Sequence, residues 1–471
     1  MQLSRTPPPI VVPSRSDQFL QKNTELIGGP LGKRTQPGRT RTGFFSVERV
    51  LLLLVLLAGV LALLFKDHCR QVGWLTPDQY STTCYSAIPA AFQDDSLGRL
   101  FPYFSPGVSF DYLPLGGLIA GITAWLSGFG GTGGTRLLGF FDLNALLLVI
   151  AWMFGTIALA RSTRRRPWDA AIFACSPLLL FTAFSSWDLW AAALAAVGLF
   201  LLSRRRLAGA GIALGLASCV QPYVALILLA ILLVSIRRRQ LLSLLPVWLG
   251  FVASFAALNL PPLMLNPASW RGYWSRAWTE EASTGSIYGA ITALAGRLGG
   301  PGFTALDAFW VSMALLVFGI IAAVLLCFGA QQTPRIGSLA FLLVAWFILV
   351  DKQAAPEHLL WLLPLFALAR PRWRGVLIWQ VFGVLWYLAE LLYLGVVLGD
   401  NNSQHGIDLP YYILALLLSG AATLIMMGFV CRDVFRPRHD LLRRGGIDDP
   451  LLDWRLRTDE SSLARPAAHL A

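Results

Sequence analysis

Charge is what this 471-residue sequence has least of: 14% of its residues are Asp, Glu, Lys or Arg, against 56% that are hydrophobic. Soluble domains carry about a quarter charged residues, so an ordinary soluble fold is excluded. Lysine is scarcer still, with Lys22, Lys33, Lys66 and Lys352 the only four among 38 basic residues. An ammonium at a membrane face is therefore conspicuous where an arginine is not. Six cysteines are too few for a disulfide scaffold. Cys175, Cys219, Cys327 and Cys431 fall in or at the ends of apolar runs, where small packing residues are expected. His68, His358, His405, His439 and His469 are dispersed and form no metal-ligand spacing, and no nucleophile elbow is present. The glycine cluster at 128–134 lacks the strand, helix and Lys that a nucleotide loop needs. The net charge of +12 could suggest a nucleic-acid partner. Its bases, however, sit in short clusters between apolar runs, which is a topology signal and leaves nucleic acid without a binding face.

What the sequence has in abundance is apolar runs, such as 50–65 and 137–160, recurring from residue 44 to 431. They approach the ~20 residues that cross a bilayer. The expected fold class is all-α, a polytopic transmembrane helical bundle. Twelve spans are expected, at roughly 44–65, 137–160, 167–184, 187–202, 207–219, 222–236, 241–259, 305–329, 336–350, 358–369, 375–398 and 410–431. Residues 1–43 read as a disordered basic cytoplasmic tail, 44–432 as the membrane domain and 433–471 as a polar cytoplasmic tail. The first run follows a long polar stretch, so it is expected to be a retained anchor rather than a cleaved signal.

Fourteen bases crowd five short connectors: Arg161 with Arg164 to Arg166, Arg204 to Arg206, Arg237 to Arg239, Arg335, and Arg370, Arg372 and Arg374. The alternate connectors are longer in total and hold eight: Lys66, Arg70, Arg99, Arg136, Arg271, Arg276, Arg297 and Lys352. By the positive-inside rule the first set is cytoplasmic and both termini lie inside. The same arithmetic makes the stretch 113–129 an interfacial or dipping helix, since a crossing there would put every Arg-rich connector outside.

The polar chemistry then collects outside. A first outer loop at 66–136 carries Asp67, Asp78, Asp94, Asp95 and Asp111, and is dense in aromatic residues and proline. Loops of that length are usually functional when ordered. Cys69 and Cys84 within it could pair or remain two free thiols. Asp142 and Asp188 open the second and fourth spans. Asp188, after Ser185-Ser186-Trp187, is either an N-cap behind an aromatic anchor or a carboxylate orienting an acceptor or a metal. Asp351, Lys352, Glu357 and His358 form either a solvated turn or a cation held at headgroup level, suited to a lipid phosphate. Glu390 is either a buried partner for that cation or a satisfied structural group. In a second outer segment at 260–304, Trp270, Tyr273, Trp274 and Trp278 with Glu280 and Glu281 form an interfacial amphipathic helix or a sugar-stacking wall.

A long outer loop after the first span, outer-face carboxylates and a late outer cation resemble the polyprenyl-phosphate-dependent membrane glycosyltransferases of the C superfold. The motifs more closely resemble glycosyltransferase family 87 of actinobacterial envelopes, whose best-studied kin are mannosyltransferases. The stretch Cys84-Tyr85-Ser86-Ala87-Ile88-Pro89 is similar to the family's Cys-Tyr-Ser-Asp-Ile-Pro, and is followed by Phe101-Pro102-Tyr103 and Asp111-Tyr112-Leu113-Pro114. Phe141-Asp142-Leu143-Asn144, Ser186-Trp187-Asp188-Leu189, Gly285-Ser286-Ile287-Tyr288, Pro356-Glu357-His358, Ala369-Arg370-Pro371-Arg372 and Arg432-Asp433-Val434-Phe435 follow in the family's order. The resemblance covers about residues 45–440.

It implies transfer of a mannose-like sugar from a polyprenyl-phosphate donor to a lipid or glycan acceptor, at the extracytoplasmic face of the plasma membrane. It implies Lys352 and His358 at the donor phosphate, and Asp188, Glu357, Asp142, Tyr112 and Trp187 around acceptor or sugar. Three positions depart from the family. Its outer-loop Asp, the general base, stands here as Ala87; its Lys before the sixth span as Gln221; its acid before Gly285 as Ser283. Asp111 is then the expected base, with Asp94 and Asp95 as substitutes. A divalent cation is the one cofactor left open, and membrane lipids are expected partners. The rival reading is a non-catalytic lipid-glycan binding or transport component. An ion-coupled transporter fits less well, because few charges lie at mid-membrane.

Overall fold

The computed structural model describes residues 17–20, 22–23, 46–94, 97, 101–104, 110, 112–163, 166–399, 405–443, 449 and 451. Every regular element among them is helical. Six helices are long and apolar enough to cross a membrane. These are α1 (Val47–Phe65), α3 (Gly133–Ser162), α7 (Leu245–Leu265 with a preceding short turn), α9 (Ala305–Gly329), α12 (Trp373–Leu398) and α13 (Leu409–Phe435). The other apolar elements are shorter: α2 (Pro114–Ser127), α4 (Asp188–Ser203), α5 (Leu207–Ser218), α6 (Val224–Arg237), α10 (Ile336–Val350) and α11 (Leu362–Ala369). Each of the twelve expected spans coincides with helical structure, but about half are too short to cross unaided. Their burial supplies the reason: in α4 and α10 most side chains are enclosed by neighbouring helices.

Local chemistry sets the helix ends. The Ser46 hydroxyl accepts the Arg49 amide at the start of α1, and Thr304 caps α9 in the same way through Asp307. Helix α2 begins with proline in its first turn and buries Gly116, Gly117, Ala120, Gly121 and Ala124, while its Thr123 accepts a hydrogen bond from Asn144 of α3. Small residues also allow the closest helix approach, of α5 on α7. A Cβ at Gly211 would meet the Val247 carbonyl oxygen at 2.0 Å, and one at Gly215 would meet Ser254 Oγ at 2.0 Å. This is the small-residue packing expected of helices without a hydrophobic drive between them.

In the expected tails, residues 1–16, 21, 24–43, 444–448, 450 and 452–471 lie outside the described residues. Part of the stretch read as a polar C-terminal tail is tied to the bundle. Helix α13 continues to Phe435, Asp433 pairs with Arg370, and Asp440 meets Arg335 at 2.7 Å, all buried.

Candidate active site

At one end of the bundle the long connector after α1 folds back over the helix ends. Cys69 and Cys84 are joined by a disulfide. It holds the short helix Asp67–Val72 against the segment 84–87, which runs along the turn before α4: Ser86 Oγ donates to the Phe184 carbonyl and the Ala87 amide to that of Ser185. Helix Ala87–Asp94 starts at Ala87.

Lys66, the residue after α1, points into this junction and is 1% exposed. Its ammonium donates to the Tyr85 carbonyl at 2.7 Å, to Tyr387 Oη at 3.1 Å and to Ser185 Oγ at 3.4 Å. Burial pushes its pKa down from the ordinary lysine value to about 7, with the charge of Glu357 opposing the shift. The Tyr85 phenol is likewise held well above its usual range, by burial first and then by Glu357. Glu357 is the common neighbour of the cluster: its charge bears on Lys66, Tyr85, Asp188, Tyr387 and Glu390. Its side chain is half-buried.

Asp188 is the first residue of α4 and is fully enclosed. Trp187 takes the cap position, so Asp188 is not the N-cap and its carboxylate turns inward. Gln221 Nε2 donates to Asp188 Oδ1 at 2.5 Å, and His358 Nε2 lies 3.9 Å from Oδ2. The Ala355 amide donates to His358 Nδ1. In a neutral ring the proton therefore sits on Nε2, facing Asp188. Trp361 stacks between the His358 ring, 4.1 Å away, and the Tyr223 ring, 4.3 Å away. Tyr273 of helix α8 (Pro267–Thr279) is close enough to feel the charge of Asp188. Among the described residues, Tyr223 Oη and one carboxylate oxygen of Glu390 are buried without a hydrogen-bond partner, whereas Trp361 Nε1 turns toward the Asp188 carboxylate.

The other oxygen of Glu390 accepts from Thr284 Oγ1 at 3.0 Å. Gly285 follows because a Cβ there would lie 2.5 Å from the Ala354 carbonyl oxygen and 3.0 Å from Glu390. From this corner an apolar cavity of about 430 Å³ runs between α10, α12 and α13, past Trp346 and Trp386, to Leu417 and Leu424 on the outer surface.

The structure thus brings Asp188, Glu357 and His358 together and adds Lys66, Glu390, Tyr223 and Tyr387. Lys352 has different neighbours. Its ammonium donates to the carbonyls of Glu280 at 2.5 Å and Ala305 at 3.3 Å, while Ser283 donates to the carbonyls of Lys352 and Ala354. These bonds stitch the loop before Gly285 to the loop after α10. Burial lowers the Lys352 pKa and raises that of Asp351 to about 6. Asp142 lies in the third turn of α3, which begins nine residues earlier than a helix opened by Asp142 would. It is held in a two-pronged pair with Arg70 at 2.8 and 3.0 Å. Trp187 is buried, donates to Asn144 Oδ1, and carries the rings of Tyr112 and Phe110 at 4.9 and 6.0 Å. Asp111 and Asp95 lie outside the described residues; Asp94 ends its helix. Among the described residues no three of His, Cys, Asp and Glu gather as a metal-ligand set.

Sequence reasoning counted Lys66 only as an outer base. Its signal was its rarity and its place directly after an apolar run. Tyr223 and Tyr387 sit in apolar stretches where aromatic residues carry no signal of their own, whereas Trp361 belongs to the Leu360-Trp361-Leu362-Leu363-Pro364 stretch that resembles the family. A family model, glycosyltransferase family 87, matches residues 110–350, just over half of the chain. No curated protein matches it.

Proposed function

The chain belongs to glycosyltransferase family 87, and on that premise we propose that it moves a mannose-like sugar from a polyprenyl-phosphate donor to a lipid or glycan acceptor of the cell envelope. The reaction runs at the extracytoplasmic face of the plasma membrane, where the carboxylates collect. The observation that carries this reading is the pair of buried polar atoms left unpaired among the described residues around Asp188 and Glu357, namely Tyr223 Oη and a Glu390 oxygen. Orphaned groups of this kind are costly unless a ligand satisfies them, and a ring of hydroxyls has the matching donors and acceptors. The apolar cavity ending at Gly285 offers the isoprenoid chain a path to the same corner.

In this scheme Asp188 and Glu357 accept sugar hydroxyls, and His358 presents Nε2–H beside them. The bond from the anomeric carbon to the phosphate oxygen breaks as the acceptor oxygen attacks. The departing phosphate takes the electron pair and needs a cation. In this reading Lys66, near Glu357, supplies it by exchanging hydrogen bonds now given to the Tyr85 carbonyl and two hydroxyls. Lys352, the cation singled out by the family resemblance, would first have to release two backbone carbonyls. The acceptor proton goes to Asp111, whose neighbours Phe110 and Tyr112 both pack on Trp187, next to Asp188.

The test is transfer in proteoliposomes from polyprenyl-phosphate mannose to envelope lipid extract. Asp111→Asn and Glu357→Gln should each lower turnover by roughly a hundredfold or more, the usual contribution of a general base or a charge placed in the site. Wild-type turnover in both would overturn the assignment. Ala87 and Gln221, which replace the family's base and cation, favour a second reading as a lipid-glycan binding component. That reading predicts donor binding with no transfer by the unaltered protein.

A further inference from the structure

The opposite end of α12 and α13 holds a second pocket that the transfer chemistry does not use. A cavity of about 690 Å³ there is lined by Lys22, Arg370, Arg372 and Arg374. Arg374 and Glu390 lie on the same helix, about 24 Å apart along its axis at ~1.5 Å per residue, so pocket and candidate active site are at its two ends. Two of the four cations are already engaged. Arg370 pairs with Asp433, and Arg372 donates to the His439 carbonyl at 3.0 Å. Arg374 and Lys22 are exposed, and among the described residues neither has an ion-pair partner.

Beside the polar Gln18, the lining carries an apolar wall: Ile378 from α12, and Met426 and Phe429 from α13. Ile378 and Phe429 are 49% and 38% exposed, on helices long enough to cross a bilayer. A cationic rim over an apolar wall, at the end of two such helices, has the polarity of a phospholipid at the headgroup boundary. The clustered arginines assign this end to the cytoplasmic side, where anionic lipid is concentrated. One carboxylate, Asp17, also lines the pocket and accepts the Phe19 amide at 3.0 Å. Its charge disfavours a dianionic monoester and suits a singly charged diester.

We propose that this pocket holds the headgroup of an anionic glycerophospholipid, its phosphate between Arg374, Arg372 and Lys22 and its first acyl carbons against Ile378, Met426 and Phe429. Inorganic phosphate would leave the apolar wall uncovered. The proposal is independent of the transfer reaction, and its test reads lipid retention alone. Full-length protein, stripped of lipid in detergent, is offered phosphatidylglycerol or phosphatidylcholine and the retained lipid is counted by native mass spectrometry. The wild type should retain phosphatidylglycerol preferentially. Lys22→Gln with Arg374→Gln should weaken that retention roughly tenfold while leaving thermal unfolding unchanged. Should the pair of changes impair folding, Arg374→Gln alone, at an exposed position, reads the same preference. Equal retention of the two lipids by the wild type, unchanged retention by the variants, or displacement of phosphatidylglycerol by an equal amount of polyprenyl phosphate would each overturn the proposal.

Discussion

If Lys66 supplies the cation for the donor phosphate, donor affinity must fall as pH rises through the range where Lys66 loses its proton. Burial places that range near pH 7, more than three units below an ordinary lysine. The free protein would carry the ammonium in roughly 76% of molecules at pH 6.5 and roughly 3% at pH 8.5, so the donor KM should rise by up to about 25-fold between them. That ceiling is reached when bound phosphate holds the lysine pKa well above 8.5, which couples binding to proton uptake. Stability must move the other way. The unfolded chain keeps the proton up to the ordinary value near 10.5, so between about 7 and 10.5 it binds more protons than the folded protein. Stability therefore rises with pH in that window, by an amount of the order of a few kcal/mol. The assay is donor KM from pH 6 to 9 in proteoliposomes, beside thermal unfolding in detergent over the same range. Lys66→Met, which keeps the volume and removes the charge, should give a flat, high KM without unfolding the protein. A wild-type KM that stays constant from pH 6 to 9, or a Lys66→Met protein with normal KM and a Lys352→Met protein without it, would refute the reasoning.

Removing the Cys69–Cys84 link by a double Ser substitution frees a loop of 15 residues and should cost about 3 kcal/mol, read as a lower melting temperature. A reductant should lower the wild type equally and the double variant not at all. Gly215→Leu would drive a side chain into Ser254 and the Phe251 carbonyl, with a loss of about 1–3 kcal/mol in detergent unfolding; unchanged melting would disprove the close α5–α7 contact. Gly285→Ala should press on the Ala354 carbonyl and on Glu390, cutting transfer and lowering the melting temperature, and unchanged melting would disprove that close approach. Ala87→Asp should partly rescue Asp111→Asn, whereas a hundredfold gain in the otherwise unaltered protein would show that Asp111 does not serve as the base.

The helical architecture was legible because hydropathy needs no partner: a run of apolar residues between arginines declares itself. Where reading and structure part, tertiary packing is the cause. Helix α3 starts at Gly133 rather than near 137, and α13 runs on through Asp433, because Arg70 and Arg370 neutralise carboxylates that a lone helix would leave unpaired. Likewise α4 and α10, at 16 and 15 residues, look like short spans in the sequence. Their burial among other helices, which no single segment reveals, is what lets them be short.

The site was legible to the extent that its residues are polar in apolar surroundings. Asp188, Glu357 and His358 stood out for that reason, and so did Lys352, which chemistry alone could not distinguish from Lys66. The distinction comes from what surrounds each ammonium. Lys352 is held by two backbone carbonyls, the fixed acceptors of a structural tie, whereas only one of the three acceptors of Lys66 is a carbonyl, that of Tyr85, the others being hydroxyls, with the partly open Glu357 nearby. The departures from the family pattern gain meaning in the same way. Gln221 keeps a hydrogen bond to Asp188 without a charge, so Asp188 sits beside a neutral donor where the family pattern supplies a cation. On the proposed reading that leaves Lys66, near Glu357, as the cation of the site, and its protonation as the step on which donor binding would turn.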